Sequence, residues 1–200
     1  MADTDVIDLL TKDHREVERI FAKLESDSTP DEEKARLLRK VADELVAHSK
    51  GEEDVVYPDV RASAPDEGDD VKDGVAEHHH VEEMLVQLLG MELDDPGADG
   101  ILAAMVAEVR HHVEEEEQDI LPAYRKATTA EQRAEVGARF LARKQQELAS
   151  RGAAPAGEPQ PAGKSLADLT VDELYERARE ADVPGRSDMT KDELIKALQG

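Results

Sequence analysis

The 200-residue chain has no cysteine and no tryptophan, and its only aromatic side chains are three tyrosines and two phenylalanines. Without cysteine there are no disulfides, thiolate nucleophiles, zinc–thiolate sites or iron–sulfur clusters, so any metal must be held by nitrogen and oxygen; the absence also fits a reducing compartment. Long apolar runs are missing too. The longest wholly apolar stretch, Ile101 to Ala107, falls far short of the ~20 residues that span a bilayer. The opening MADTDVIDLL interleaves acids with apolar positions, so the chain reads as soluble, unexported and cytoplasmic. Basic residues are scarce: 25 against 48 acidic ones give a formal charge of −23, which makes nucleic acid and anionic membranes poor partners. A 39% apolar, nearly aromatic-free composition builds its core from Leu, Val, Ile and Ala, as helix packing allows and sheets rarely do. The expected class is all-α.

Helix punctuation is legible along the first 150 residues. Asp3 or Thr4 can cap a helix running to about Ser26, and Thr29-Pro30 opens a second that should end or kink at Pro58. A third follows APDEGDD and runs to about Leu93, and a fourth follows DDPGADG and meets Pro122. Helices of this length with short turns predict an up-down-up-down four-helix bundle. A fifth helix over 128–150, with Val136, Phe140, Leu141 and Leu148 as its weaker apolar stripe, should pack across it. Residues 1–150 form this unit, 151–164 (RGAAPAGEPQPAGK) read as a flexible linker, and 165–200 form a small helical module with capping boxes Thr170/Glu173 and Thr190/Glu193.

All seven histidines lie between positions 14 and 112, and their spacing repeats: His14 to His48 is 34 residues, as is His78 to His112. A shift of 64 superposes the first helix pair on the second, matching Glu52 with Glu116, Glu53 with Glu117 and Pro58 with Pro122. This internal repeat predicts a pseudo-twofold bundle with one inward histidine per helix. At ~100° per residue, His14, His48, His78 and His112 each share a stripe with apolar residues, and Glu52 and Glu116 fall on the same stripes four residues on. An acid on an apolar face is costly unless paired or metal-bound. Glu82, between Val75 and Leu89, is a further candidate ligand, whereas Glu18 lies at a stripe edge and reads as solvated. His79, four residues before Glu83, is a supporting or surface position, His80 and His111 point away, and the rest of the Glu114–Glu117 run is an acidic surface. Four imidazoles and at least two carboxylates exceed what one tetrahedral zinc needs. Two metals bridged by Glu52 and Glu116 is the economical arrangement, and the ligand mix suits iron or manganese.

At DHREVERIF, HSKGEEDVVYP, EHHHVEEML and HHVEEEEQDILP the sequence resembles the hemerythrin-like, or HHE cation-binding, family over about residues 1–127. The resemblance implies two iron ions (Fe2+/Fe3+) with an oxo or hydroxo bridge, His14, His48, His78 and His112 as terminal ligands, and Glu52 and Glu116 as bridging carboxylates. Invertebrate oxygen carriers of the family have HxxxH in the third helix and HxxxxD in the fourth; here those positions read His78 with Glu82 and His112 with Glu116. The added negative charge favours oxidised metal, which argues against reversible oxygen transport and for oxygen, peroxide or nitric oxide chemistry, including peroxide breakdown, in stress response, sensing or iron handling. A ferritin-like reading would instead use Glu77-x-x-His80 and Glu108-x-x-His111, but those pairs break the 64-residue register. The tail, DLTVDELYERAREADVPGRSDMTKDELIKAL, resembles the helix-extended-loop-helix module of the Rho terminator N-terminus and SAP-like folds, and suggests a protein partner more than nucleic acid. The alternative to a gas- or peroxide-reactive protein is an interaction adaptor gated by metal or redox state, read out by the fifth helix and tail.

Overall fold

In the computed structural model, which describes residues 5–152 together with Thr190, Lys191 and Lys196, the regular elements of the first 152 residues are all helical. Asp5 opens α1 (Val6–Leu24) by accepting the Ile7 N–H on Oδ1 at 3.0 Å. α2 (Asp31–Gly51) starts after Pro30, one residue beyond the expected Thr29 cap. Of the two outcomes expected at Pro58, an end or a kink, the end does not occur, and Pro122 does not end its helix either. Instead a π-helical turn forms just ahead of each, Glu52–Val56 and Glu116–Ile120, followed by α3 (Tyr57–Ser63) and α6 (Leu121–Ala127). In each turn the wider ladder is closed by an N–H to the glutamate carbonyl, from Tyr57 to Glu52 and from Leu121 to Glu116. Each proline then sits in the first turn of a fresh α segment, where its missing N–H costs least. The two turns begin at the two candidate bridging acids, 64 residues apart.

A 3-10 turn at Pro65–Glu67 leads into α4 (Gly68–Leu89), and Gly97, at φ 98°, supplies the left-handed residue from which α5 (Ala98–Glu115) starts. α1 pairs with α2, α4 with α5, and α2 with α4, giving the up-down-up-down bundle. The fifth long helix, α7 (Ala130–Gly152), lies along α2, α1 and the first π turn. Its buried face is Arg133, Val136, Gly137, Phe140 and Lys144, so two of its five inward residues are cationic and the expected Leu141 and Leu148 are only half-buried. α7 approaches closely because α2 offers Ala47 and Gly51 there: a Cβ on Gly51 would lie 2.6 Å from Phe140 Cε2.

Two apolar clusters fill the bundle. One runs from Val17 through Leu38, Leu45 and Leu85 to Val109, and the other from Ile7 and Leu10 through Tyr57 to Leu121 and Phe140. Buried histidines and glutamates lie in sequence between the members of these clusters on every helix of the bundle, as His14 does between Leu10 and Val17. Leu89, expected on the His78 stripe, is exposed at 37%. No helix among the described residues is long and apolar enough to cross a membrane. The chain divides into two units, 1–155 and 156–200, and the linker beyond Gly152 and, apart from Thr190, Lys191 and Lys196, the module lie outside the described residues.

Candidate metal centre

Each bundle helix delivers one buried imidazole: His14 from α1, His48 from α2, His78 from α4 and His112 from α5. Glu52 and Glu116, fully or almost fully buried, follow from the first residues of the two π turns. Donors converge in two groups, His14/His48/Glu52/Glu116 and Glu52/His78/His112, with Glu52 common to both. Glu52 Oε1 lies 3.1 Å from His48 Nε2 and its Oε2 3.3 Å from His78 Nε2, while Glu116 Oε2 lies 3.4 Å from His14 Nε2 and 3.9 Å from His112 Nε2. Two donors ~2.1 Å from a shared ion and separated by ordinary coordination angles stand roughly 3.0–3.4 Å apart. His14 Nε2, His48 Nε2, both oxygens of Glu52 and Glu116 Oε2 have no hydrogen-bond partner although buried. Five such atoms drawn together in an apolar interior call for positive charge among them, from a cation or from protons on the histidines.

Behind every imidazole stands a carboxylate. Nδ1 of His14 bonds Glu117 at 2.9 Å, that of His48 bonds Asp13 at 3.1 Å, that of His78 bonds Glu53 at 3.2 Å and that of His112 bonds Glu77 at 2.8 Å. A carboxylate on Nδ1 fixes the tautomer that leaves the Nε2 lone pair facing inward and raises its basicity. Asp13 and Glu77 each precede a ligand histidine, Glu53 and Glu117 each follow a ligand glutamate, and both pairs obey the 64-residue register. That register is the available signal for all four; the expectation that Glu117 is ordinary acidic surface is corrected by its place beside His14.

Without an ion, protons supply the positive charge. Burial pulls the His48 pKa down, but Glu52 and Asp13 outweigh it and push it up to about 10; Glu52 and Glu53 likewise push His78 up to about 9 against its burial. Burial works to raise the Glu52 pKa, yet His48 and His78 hold it well below the usual carboxylate range. Tyr57 donates its O–H to Glu116 Oε1 at 2.9 Å, so one bridging candidate is anchored from the side and the other is not. Beside the histidines is a cavity of about 30 Å³ walled by Val17, Leu45, Val81 and Val109, with Ser49 also on its lining.

Other candidates fall elsewhere. Glu82 joins neither donor group; it lies half-buried beside the Lys50 Nζ at 3.4 Å, where a lysine from α2 meets it. Glu18 is exposed and holds Arg110, and His79 and Glu83 are exposed. The histidines of the ferritin-like alternative are on the outside: His80 bonds Glu108 at 3.3 Å, and His111 lies 3.3 Å from Glu115 and groups with Glu77 at the surface. Tyr57 and Lys144, which touch the polar layer, carried no metal-ligand signature in the sequence.

Comparison with known proteins points to a cation-binding family. The hemerythrin HHE cation-binding domain matches residues 5–124. An uncharacterized hemerythrin-like protein of Schizosaccharomyces pombe is 28% identical over 138 residues, covering 68% of this chain and 68% of its own length. A Nostoc protein named DNA nickase is 27% identical over 142 residues, 71% of this chain but 40% of that protein. No solved structure matches.

Proposed function

Since the chain belongs to the hemerythrin HHE cation-binding family, we propose that its bundle holds two iron ions, with manganese as the alternative, and reacts there with dioxygen, peroxide or nitric oxide. The observation that carries this reading is the set of buried, unpartnered Nε2 and carboxylate oxygens turned on one point, split into two groups that share Glu52. When bound, such a pair of ions supplies Lewis acidity and one-electron steps. The chain's own part is to position, to screen and to exclude. His14, His48, His78 and His112 would serve as end ligands, oriented by Glu117, Asp13, Glu53 and Glu77, with Glu52 and Glu116 between the ions. Tyr57 holds its proton toward Glu116 and fixes that carboxylate's rotation. The cavity of about 30 Å³ beside His14, His48, His78 and His112, walled by Val17, Leu45, Val81 and Val109, offers room next to the donors for a small ligand of the diatomic or peroxide class. Apolar walls keep bulk water from competing for it.

Iron loading in the absence of oxygen, followed by metal analysis and addition of hydrogen peroxide, tests this directly. Two ions per chain, with near-ultraviolet absorption on oxidation and turnover of peroxide, is the expected result. A single ion with zinc preferred over iron would sink it. The adaptor reading keeps one supporting observation: α7, which leads into the tail, reaches the polar layer through Lys144. Binding of two ions without any peroxide turnover would favour that reading. The activity named for the Nostoc relative is not carried over, because a chain of charge −23 repels duplex DNA.

A further inference from the structure

The four carboxylates behind the histidines differ in the cations paired with them. Arg15 bonds Glu117 at 2.5 Å, Lys50 bonds Glu53 at 2.9 Å and Lys144 bonds Asp13 at 2.7 Å, whereas Glu77 receives no hydrogen bond from lysine or arginine among the described residues. In the first two cases the cation takes the oxygen that the histidine leaves free: His14 uses Glu117 Oε1 and Arg15 uses Oε2, and His78 and Lys50 divide Glu53 in the same way. Asp13 is different. Its Oδ2 accepts from both His48 Nδ1 and Lys144 Nζ. The Lys144 side chain is also far less exposed than that of Arg15, 11% against 57%, so solvent screens it least. It comes from α7, which has no counterpart in the repeat, and it is held on its far side by Glu44 Oε2 at 3.0 Å.

A carboxylate oxygen already satisfied by an ammonium polarises an imidazole N–H less, so His48 is a weaker donor than its repeat mate His112. A fixed positive charge nearby also favours the lower oxidation state of a metal ion. Both effects act in the same direction; Lys50 also sets a cation on Glu53 behind His78, but on the oxygen that His78 leaves free and from a more exposed side chain (28%), so they fall more heavily on the His14/His48 half. We propose that Lys144 is a positioning residue which, acting through Asp13 on His48, makes the metal position of His14 and His48 the more easily reduced of the two. This rests on the two-iron reading above. The step concerned is the gain of one electron by one ferric ion from an external one-electron donor, with no bond in the chain made or broken.

The test is a potentiometric titration of the full-length, iron-loaded chain with dithionite and mediators, after metal analysis of each variant. Wild type should reduce in two separated one-electron steps. Lys144→Met, which keeps the buried stem, should lower the first by at least a tenfold change in the oxidised-to-reduced ratio at fixed potential, about 59 mV for one electron, and so draw the two steps together. Lys144→Arg should stay near wild type, and Glu44→Gln, which frees the ammonium from its competing anion, should shift the first step upward. An unmoved first step in Lys144→Met overturns the proposal, as does a shift of the same sign in Lys144→Met and Glu44→Gln, because disturbed packing would move both alike. Fewer than two ions in wild type would appear before any potential is measured and would overturn the two-iron reading itself.

Discussion

The hairpin that ends at Ser63 and the one that begins at Gly68 carry the same donors 64 residues apart, yet they differ wherever something covers those donors. On the first, Ala47 and Gly51 make a smooth strip on which Phe140 and Lys144 of α7 lie; the matching positions on the second are His111 and Glu115, both exposed. Tyr57 reaches across to Glu116, but its repeat mate Leu121 has nothing to offer Glu52. Gly74 makes room for that phenol and for the His112 ring, where the first hairpin has Leu10. The repeat therefore preserves the donor set, and the differences give its two donor groups unequal surroundings.

Several substitutions break this comparison, the most severe first. Glu52→Ala removes the one carboxylate common to both donor groups and should release both ions or leave them unpaired, read as metal per chain; retention of two ions with unchanged spectra would show that Glu52 does not join them. Raising the pH should next separate the metal-free chain from the loaded one. His48 and His78 have raised folded pKa values, so the stability they confer is complete below about 6.5 and is lost as pH rises through about 9 and about 10. Chemical denaturation of the chelator-treated protein between pH 6 and 10 should therefore show falling stability; a flat or rising profile would place the protons elsewhere.

Gly51→Ala drives a methyl into Phe140 and should cost ~1–3 kcal/mol, while Glu115→Ala at the matching exposed position should stay within about 0.5 kcal/mol. Equal losses in thermal melts would mean that α7 does not dock as described. Tyr57→Phe leaves Glu116 Oε1 without its donor and should cost ~1 kcal/mol. Gly74→Ala should cost less in that background, since its Cβ would lie 3.2 Å from the missing hydroxyl; strict additivity would deny the contact. Smallest of all, removing residues 153–200 should leave metal content unchanged, because every proposed ligand lies at or before Glu116; loss of metal would show that the tail contributes to the centre.

Much of this centre was legible because two constraints coincide in the sequence. Histidine on an apolar stripe is ambiguous once, but four at mirrored spacing, with Glu52 and Glu116 a turn further on, are difficult to satisfy without metal. What periodicity could not show is the effect of the prolines. A 3.6-residue count carries the α phase up to Pro58 and Pro122, whereas the chain inserts π turns there, so Tyr57 faces the centre on a phase that no regular helix predicts. Glu82 keeps the stripe but stands outside both donor groups, its buried Oε1 3.4 Å from Lys50 Nζ on the neighbouring helix. Lys144 was invisible because its partner Asp13 lies 131 residues away.

We propose that this bundle holds a pair of ions on its inward histidines with Glu52 and Glu116. Native mass spectrometry of the iron-loaded full-length chain beside His112→Ala and His80→Ala tests it most directly. Two ions are expected in wild type and in His80→Ala, and fewer than two in His112→Ala. Equal loss in both variants, or a single ion in wild type, would contradict it.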